Sequence, residues 1–172
     1  MKTVSFTRVF VWLALVILGA IPQALLAAVI HGHVVGVSDG DTVKVLDASQ
    51  GLHTVRLMGI DAPEKAQPYG QRSKQSLSDL VYQHHVSVEW SKEDKYGRVV
   101  GKIRLSDGMD VCLEQIKRGM AWHYKQYSKE QPVEDQITYA TFETEAKKRK
   151  AGLWSDEAPT PPWLWRKQIN RR

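Results

Sequence analysis

Three short segments carry side chains that could act together on a phosphate ester. Asp39-Gly40-Asp41-Thr42 is a turn bearing two carboxylates. Arg56-Leu57-Met58-Gly59-Ile60-Asp61-Ala62-Pro63-Glu64 sets an arginine on an apolar run and follows it with two more carboxylates around a rigid proline. Asp94-Lys95-Tyr96-Gly97-Arg98 is a polar turn ending in a second arginine. Each has a plain reading on its own: an aspartate-glycine hairpin, a solvated loop, a hairpin tip. Together they hold what phosphodiester hydrolysis requires. Charge grows on the phosphoryl oxygens, and an arginine fork that never loses its proton can be fixed against it. An attacking water must give up a proton, which a carboxylate can accept. Asp41, Asp61 and Glu64 offer only oxygen, and no cysteine lies near them. Such donors favour calcium, magnesium or manganese over zinc.

The elements that must position these residues are short strands first. Apolar and polar residues interleave over Val29 to Val37, Thr42 to Leu46 and Leu52 to Met58, with turn residues between them. Leu77, Leu80 and Val81 recur at helical spacing on a segment running to about His84. Val86 to Trp90 and Arg98 to Leu105 read as a fourth and fifth strand. Asp110 is placed to cap a helix that Gly119 ends, and a last helix runs from near Glu134 to Lys150 with Gly152 as its stop. Five strands with one helix before the fourth and two after the fifth fit an α+β fold. The expected form is an OB-fold, a five-stranded Greek-key barrel with about three helices packed outside. From Ser155 onward the prolines break regular structure, and Trp163-Leu164-Trp165 is expected to pack back onto the domain.

Composition bounds the rest. The chain has 172 residues and a formal charge of +5. Its start runs basic (Lys2, Arg8), then apolar (Val9 to Ala20), then small after Pro22, which is the layout of an export signal. Residues 1–28 are read as a signal peptide or, if uncleaved, an N-terminal membrane anchor. Residues 29–155 form the domain and 156–172 a basic tail rich in proline and tryptophan. Losing residues 1–27 removes Lys2 and Arg8, so the mature charge is +3, which permits a polyanionic partner without demanding one. A single cysteine, Cys112, excludes an intrachain disulfide and reads as a small buried residue. His31-Gly32-His33 and His84-His85 lack acidic or thiol partners at ligand spacing, so they read as surface or satisfied positions. Trp122 reads as packing, and the Lys147 to Lys150 run as a solvated helix end.

Asp-Gly-Asp-Thr-Val at 39–43, Arg-Leu-x-Gly-Ile-Asp-Ala-Pro-Glu at 56–64 and Asp-Lys-Tyr-Gly-Arg at 94–98 resemble, in order, the signature segments of the staphylococcal nuclease family. Gly119-Met120-Ala121 and Gly152-Leu153-Trp154 extend the likeness. The tail Pro161-Pro162-Trp163-Leu164-Trp165-Arg166 resembles that of exported bacterial members. The resemblance implies a calcium ion (Ca2+) held by Asp41, Asp61 and the backbone carbonyl of Ala62. It implies Glu64 as general base and Arg56 and Arg98 on the scissile phosphate. Lys95, Tyr96 and Tyr124 would bind the substrate, Tyr124 in a stretch whose length departs from the family pattern. The implied activity is hydrolysis of DNA and RNA, single strands preferred, leaving 3′-phosphate and 5′-hydroxyl ends. The expected protein is an exported monomer, periplasmic or extracellular, with no obligate protein partner. A non-catalytic nucleic-acid-binding or protein-binding module is the rival reading, but such a module has no need of both arginines and all three carboxylates. A structural protein held in the envelope is a third, resting on the N-terminus alone.

Overall fold

The computed structural model of the chain describes residues 28–169. The leader therefore lies, apart from Ala28, outside the described residues. Seven strands form: β1 (Ala28–Asp39), β2 (Thr42–Asp47), β3 (Leu52–Leu57), β4 (Ile60–Asp61), β5 (His85–Glu93), β6 (Val99–Leu105) and β7 (Trp122–His123). Four α-helices accompany them: α1 (Gly70–Val81), α2 (Val111–Lys117), α3 (Val133–Lys148) and α4 (Pro162–Ile169). Strands β1-β2-β3-β6-β5 close into a barrel, the five-stranded barrel with outer helices expected of an OB-type fold. All neighbouring pairs are antiparallel except β3 and β6, which run parallel.

The barrel forms because its strands alternate. Val34, Val43, Val45, Val55, Leu57, Val88 and Ile103 point inward and are fully buried or nearly so, each contributing about 1.5–3 kcal/mol by leaving water. Leu77 and Val81 of α1, with Val111 and Ile116 of α2, close its open end. Register shifts between Val34 and Gly36 and between Val37 and Asp39 curl β1 so that it pairs with both β2 and β5. Asp110 caps α2 as expected, accepting the Leu113 N–H at 3.0 Å. The same carboxylate takes the Tyr139 hydroxyl and lies 3.2 Å from the buried Lys102 Nζ, which also pairs with Asp135. That network ties β6, α2 and α3 together.

Several details depart from the sequence reading. The first helix stops at Val81 rather than near His84, because Gln83 turns the chain with φ 63°. Strand β5 runs on to Glu93, three residues past the expected end. The two-residue strands β4 and β7 pair with each other, Ile60 opposite His123 and Asp61 opposite Trp122. Helix α4 stands where prolines were expected to prevent regular structure. Pro162 occupies its first position, where a missing N–H costs nothing. The Pro161 carbonyl instead accepts the Leu164 and Trp165 N–H groups, each at 3.0 Å.

Candidate active site

The three segments converge where the strands end. The β1–β2 turn supplies Asp41, and Gly40 lets this turn lie against α1, since a Cβ there would overlap Ser73 Oγ. On β3, Arg56 points out of the barrel's rim. The chain then reverses at Gly59 (φ 75°), where a Cβ would strike the Gln131 side chain, and returns as β4 bearing Asp61. The parallel pairing sets Arg56 opposite Val100, which brings the 94–98 turn alongside it. Strand β7, paired to β4, delivers Tyr124, whose N–H donates to the Gly59 carbonyl at 2.8 Å.

All nine residues expected at the site line one cleft of about 660 Å³: Asp41, Arg56, Asp61, Ala62, Glu64, Lys95, Tyr96, Arg98 and Tyr124. Arg56 is at its centre. Its Nη1 donates to the Leu57 carbonyl at 2.7 Å, and its Nη2 lies 3.1 Å from Asp61 Oδ1 and 3.2 Å from Asp41 Oδ2. One oxygen of each aspartate therefore faces a common point. Burial works against the guanidinium charge, but Asp41, Asp61 and Asp39 outweigh it and hold Arg56 protonated. The other tie between segments is the Ala62 N–H, which donates to Asp41 Oδ2 at 2.7 Å. This bond uses backbone alone, so the alanine side chain plays no part in it.

Arg98 is held from the side. Its Nε and Nη2 both reach Asp94 Oδ2 at 2.7 Å. Burial pulls Asp94 upward, yet this pairing and the N–H groups of Arg98 and Tyr96 keep it below the usual carboxylate range. Lys95 and Tyr96 stand exposed at the mouth, with Lys95 Nζ 5.0 Å from the Tyr96 ring centre. Tyr124 is pushed above the ordinary tyrosine range by burial and by Asp61, so its hydroxyl keeps its proton.

Two participants escaped the sequence reading. Asp39 lines the cleft and is raised to about 6, first by burial and then by the charge of Asp41. Arg166, from α4, reaches across the molecule. Its Nη2 donates to Asp61 Oδ2 at 2.8 Å, and its Nη1 to Glu64 Oε1 at 2.7 Å and Asp61 Oδ1 at 3.2 Å. The tail's match to a known pattern and its unspent arginine were the only signals, and neither said where it docks. None of the four histidines weighed in the sequence, His31, His33, His84 and His85, lines the cleft. His33 and His85 are exposed cross-strand partners with rings 3.4 Å apart.

Residues 54–156 match the family model described as staphylococcal nuclease homologue. An Escherichia coli protein named as an uncharacterized endonuclease is 43% identical over 142 residues, covering 83% of this chain and 88% of that one. A micrococcal nuclease of Shigella flexneri is 37% identical, covering 80% of each chain. This chain belongs to the staphylococcal nuclease family. It is thus a nuclease by family, with nucleic acid as its substrate class. Within that family domain the match covers Arg56 to Glu64 and Asp94 to Arg98, while the Asp41 turn and Arg166 fall outside the matched span.

Proposed function

We propose that this protein is an exported, calcium-dependent nuclease hydrolysing phosphodiester bonds of DNA and RNA. It prefers single strands, leaves 3′-phosphate and 5′-hydroxyl ends, and works as a monomer without an obligate protein partner. The observation that supports this reading is the convergence of Asp41, of Arg56, Asp61 and Glu64, and of Arg98, from three separate segments, in one cleft.

The residues present suit a hard divalent cation. Asp41 and Asp61 are brought together on Arg56 Nη2, and the Ala62 N–H ties that backbone to Asp41. Asp39 adds a third aspartate beside them, raised to about 6 by burial and by the charge of Asp41. Among the described residues no three side-chain ligands stand at metal-binding spacing. Asp41 and Asp61, with the Ala62 carbonyl that the family resemblance adds, would suit a cation that completes its shell with water and phosphate oxygens, as calcium does. Bound calcium would supply positive charge against the phosphoryl oxygens and acidify an attacking water.

The chain's own residues divide the remaining work. Arg56 and Arg98 aim forked donors at the oxygens on which charge grows. Glu64, reaching from a loop stiffened by the buried Pro63, accepts the proton of the attacking water. Tyr96 and Tyr124 offer ring faces to flanking bases, and Lys95 offers a charge to a flanking phosphate.

The test is single-turnover cleavage of a short single strand by the mature chain across a panel of divalent metals. Calcium should support cutting. Glu64→Gln should slow the chemical step by about a hundredfold or more at any calcium level. Asp41→Ala and Asp61→Ala should need more calcium and recover part of their rate when it is in excess. A folded Glu64→Gln protein cutting at the wild-type rate would sink the assignment. Binding without cleavage in every metal would make the chain a nucleic-acid-binding module instead. For export, mass spectrometry of protein from the envelope or medium should find a terminus near Ala28, whereas an intact Met1 on membranes would mean an anchor.

A further inference from the structure

Glu64 has a positional problem. It follows Pro63 on a loop, its side chain is 40% exposed, and a general base must be held to a fraction of an ångström. Among the described residues, the one side-chain group that holds its carboxylate is the Arg166 guanidinium at 2.7 Å. We propose that Arg166 is a positioning residue of this active site, fixing the Glu64 carboxylate and the outer oxygen of Asp61. The proposal rests on the nuclease reading above.

The geometry points to a fixture rather than a plug. Asp61 Oδ1 faces inward, toward Arg56 and Asp41, whereas the shorter Arg166 contact (2.8 Å) goes to Oδ2. Arg166 thus bonds most closely to the outer oxygen, with a longer contact of 3.2 Å to the inner one. One planar fork spans the Asp61 and Glu64 carboxylates, a task its rigid donors suit. Helix α4 is also anchored as part of the wall. Pro162 is buried, and Trp163 stacks on Tyr124 at 5.6 Å and 19° while meeting Trp122 edge-on at 6.4 Å. Gln67 adds a second stitch between tail and loop: its Oε1 accepts the Glu64 N–H at 3.1 Å and its Nε2 donates to the Thr160 carbonyl at 2.5 Å. A segment meant to leave would not be joined at both the backbone and the side chain of the residue it restrains.

The experiment compares wild type, Arg166→Ala, Arg166→Lys, Glu64→Gln and the double variant Arg166→Ala/Glu64→Gln. Single-turnover rate and KM are measured in calcium, with circular dichroism for folding. Terbium luminescence reports cation binding independently of activity. Arg166→Ala should lower the rate by about ten- to a hundredfold, as for a misplaced base, with KM changed by less than about twofold. In the Glu64→Gln background the same change should cost less than about twofold, since residues acting as a unit are not additive. Arg166→Lys should recover part of the rate, because an ammonium can still reach Glu64. Terbium should bind Arg166→Ala somewhat more tightly, since a cation 2.8 Å from Asp61 Oδ2 is lost, but with no gain in rate. An equal fractional loss in both backgrounds would show that Arg166 does not act through Glu64. A faster Arg166→Ala enzyme with much tighter terbium binding would make the tail an inhibitor, overturning the proposal. A wild-type chain inert in every metal would overturn the nuclease reading and this proposal with it, whereas an active wild type matched by Arg166→Ala overturns this proposal alone.

Discussion

Gln115 lies wholly buried in α2, far from the cleft in sequence, yet it supports the turn that carries Asp41. Its Nε2 donates to the Gly40 carbonyl at 2.9 Å and the Ser73 carbonyl at 3.2 Å, and its Oε1 accepts the Ser76 hydroxyl at 2.7 Å. Gln115→Leu keeps the volume and deletes all three bonds. Ser76 can turn to a carbonyl of its own helix, and the Ser73 carbonyl belongs to that helix. The Gly40 carbonyl has no such resort. Losing the bonds should cost about 1 kcal/mol each, and the orphaned carbonyl about 1–3 kcal/mol more. The leucine returns about 1–2 kcal/mol by burying apolar surface. The balance is a loss of about 3 kcal/mol, which for a domain of this size lowers Tm by about 6–12 °C. Because the orphaned group precedes Asp41, calcium affinity should fall as well. Urea unfolding and calcium titration of the folded variant are the assays. A loss under about 0.5 kcal/mol with unchanged calcium binding would refute the claim that Gln115 braces the turn.

Arg56→Lys and Arg98→Lys should each cut the single-turnover rate by about a hundredfold, because a point charge cannot replace the fork. A rate within about threefold of wild type would show that only charge is used at that position. Glu143 accepts the His123 N–H and pairs with Lys125 Nζ at 2.7 Å and Lys147 Nζ at 3.0 Å; burial raises it, but the two lysines prevail and leave it below the ordinary glutamate range. It therefore stabilises the fold above the unfolded glutamate value, and that contribution is lost as pH falls through the lower folded value. Thermal unfolding of Glu143→Gln should show a lower Tm at neutral pH and less further loss than wild type as pH falls from 5 toward 3. Cys112, wholly buried, is pushed up to about 12 by burial and then by Asp110, so an aromatic disulfide reagent at pH 8 should label it only when the chain unfolds. Rapid labelling of the native protein would contradict its placement.

The five-stranded barrel is legible in the sequence, and so are the segments that line the cleft; the short elements joining them are not. Asp41, Arg56, Asp61 and Glu64 were readable because hairpin and strand-end chemistry is local, so spacing along the chain survives folding as spacing in space. Tyr124 reaches the cleft through the pairing of β7 with β4. Both strands have two residues, too short for any alternation to mark them. Arg166 was invisible as a site residue because it lies 105 positions from Asp61 and is delivered by aromatic docking, which has no period. Helix α4 was hidden by its own prolines, whose positions at the start of a helix look the same in sequence as a break. Of the lysine run read as a solvated helix end, Lys147 departs furthest. It pairs with buried Glu143 and lies 4.5 Å from the Trp154 ring centre.

Charge explains why such a site takes this form. Seven acidic and five basic side chains line the cleft, so its own charge is close to −2. A polyanion approaching that surface is repelled unless positive charge is added where the acids cluster. Arg56 and Arg166 already pair with Asp41, Asp61 and Glu64, and still the acids of the cleft outnumber its bases. On the proposed calcium reading, a divalent ion would offset the excess and be aimed by the same oxygens that cause it. Arg166 meets a second demand of the same kind. Glu64 has to be held in place without being buried, since burial would favour its neutral form. A guanidinium presented from outside, on a helix locked by Trp163 and Tyr124, restrains the carboxylate while leaving it open to water. The barrel alone has no strand positioned to do this, which accounts for a C-terminal helix that crosses the rim.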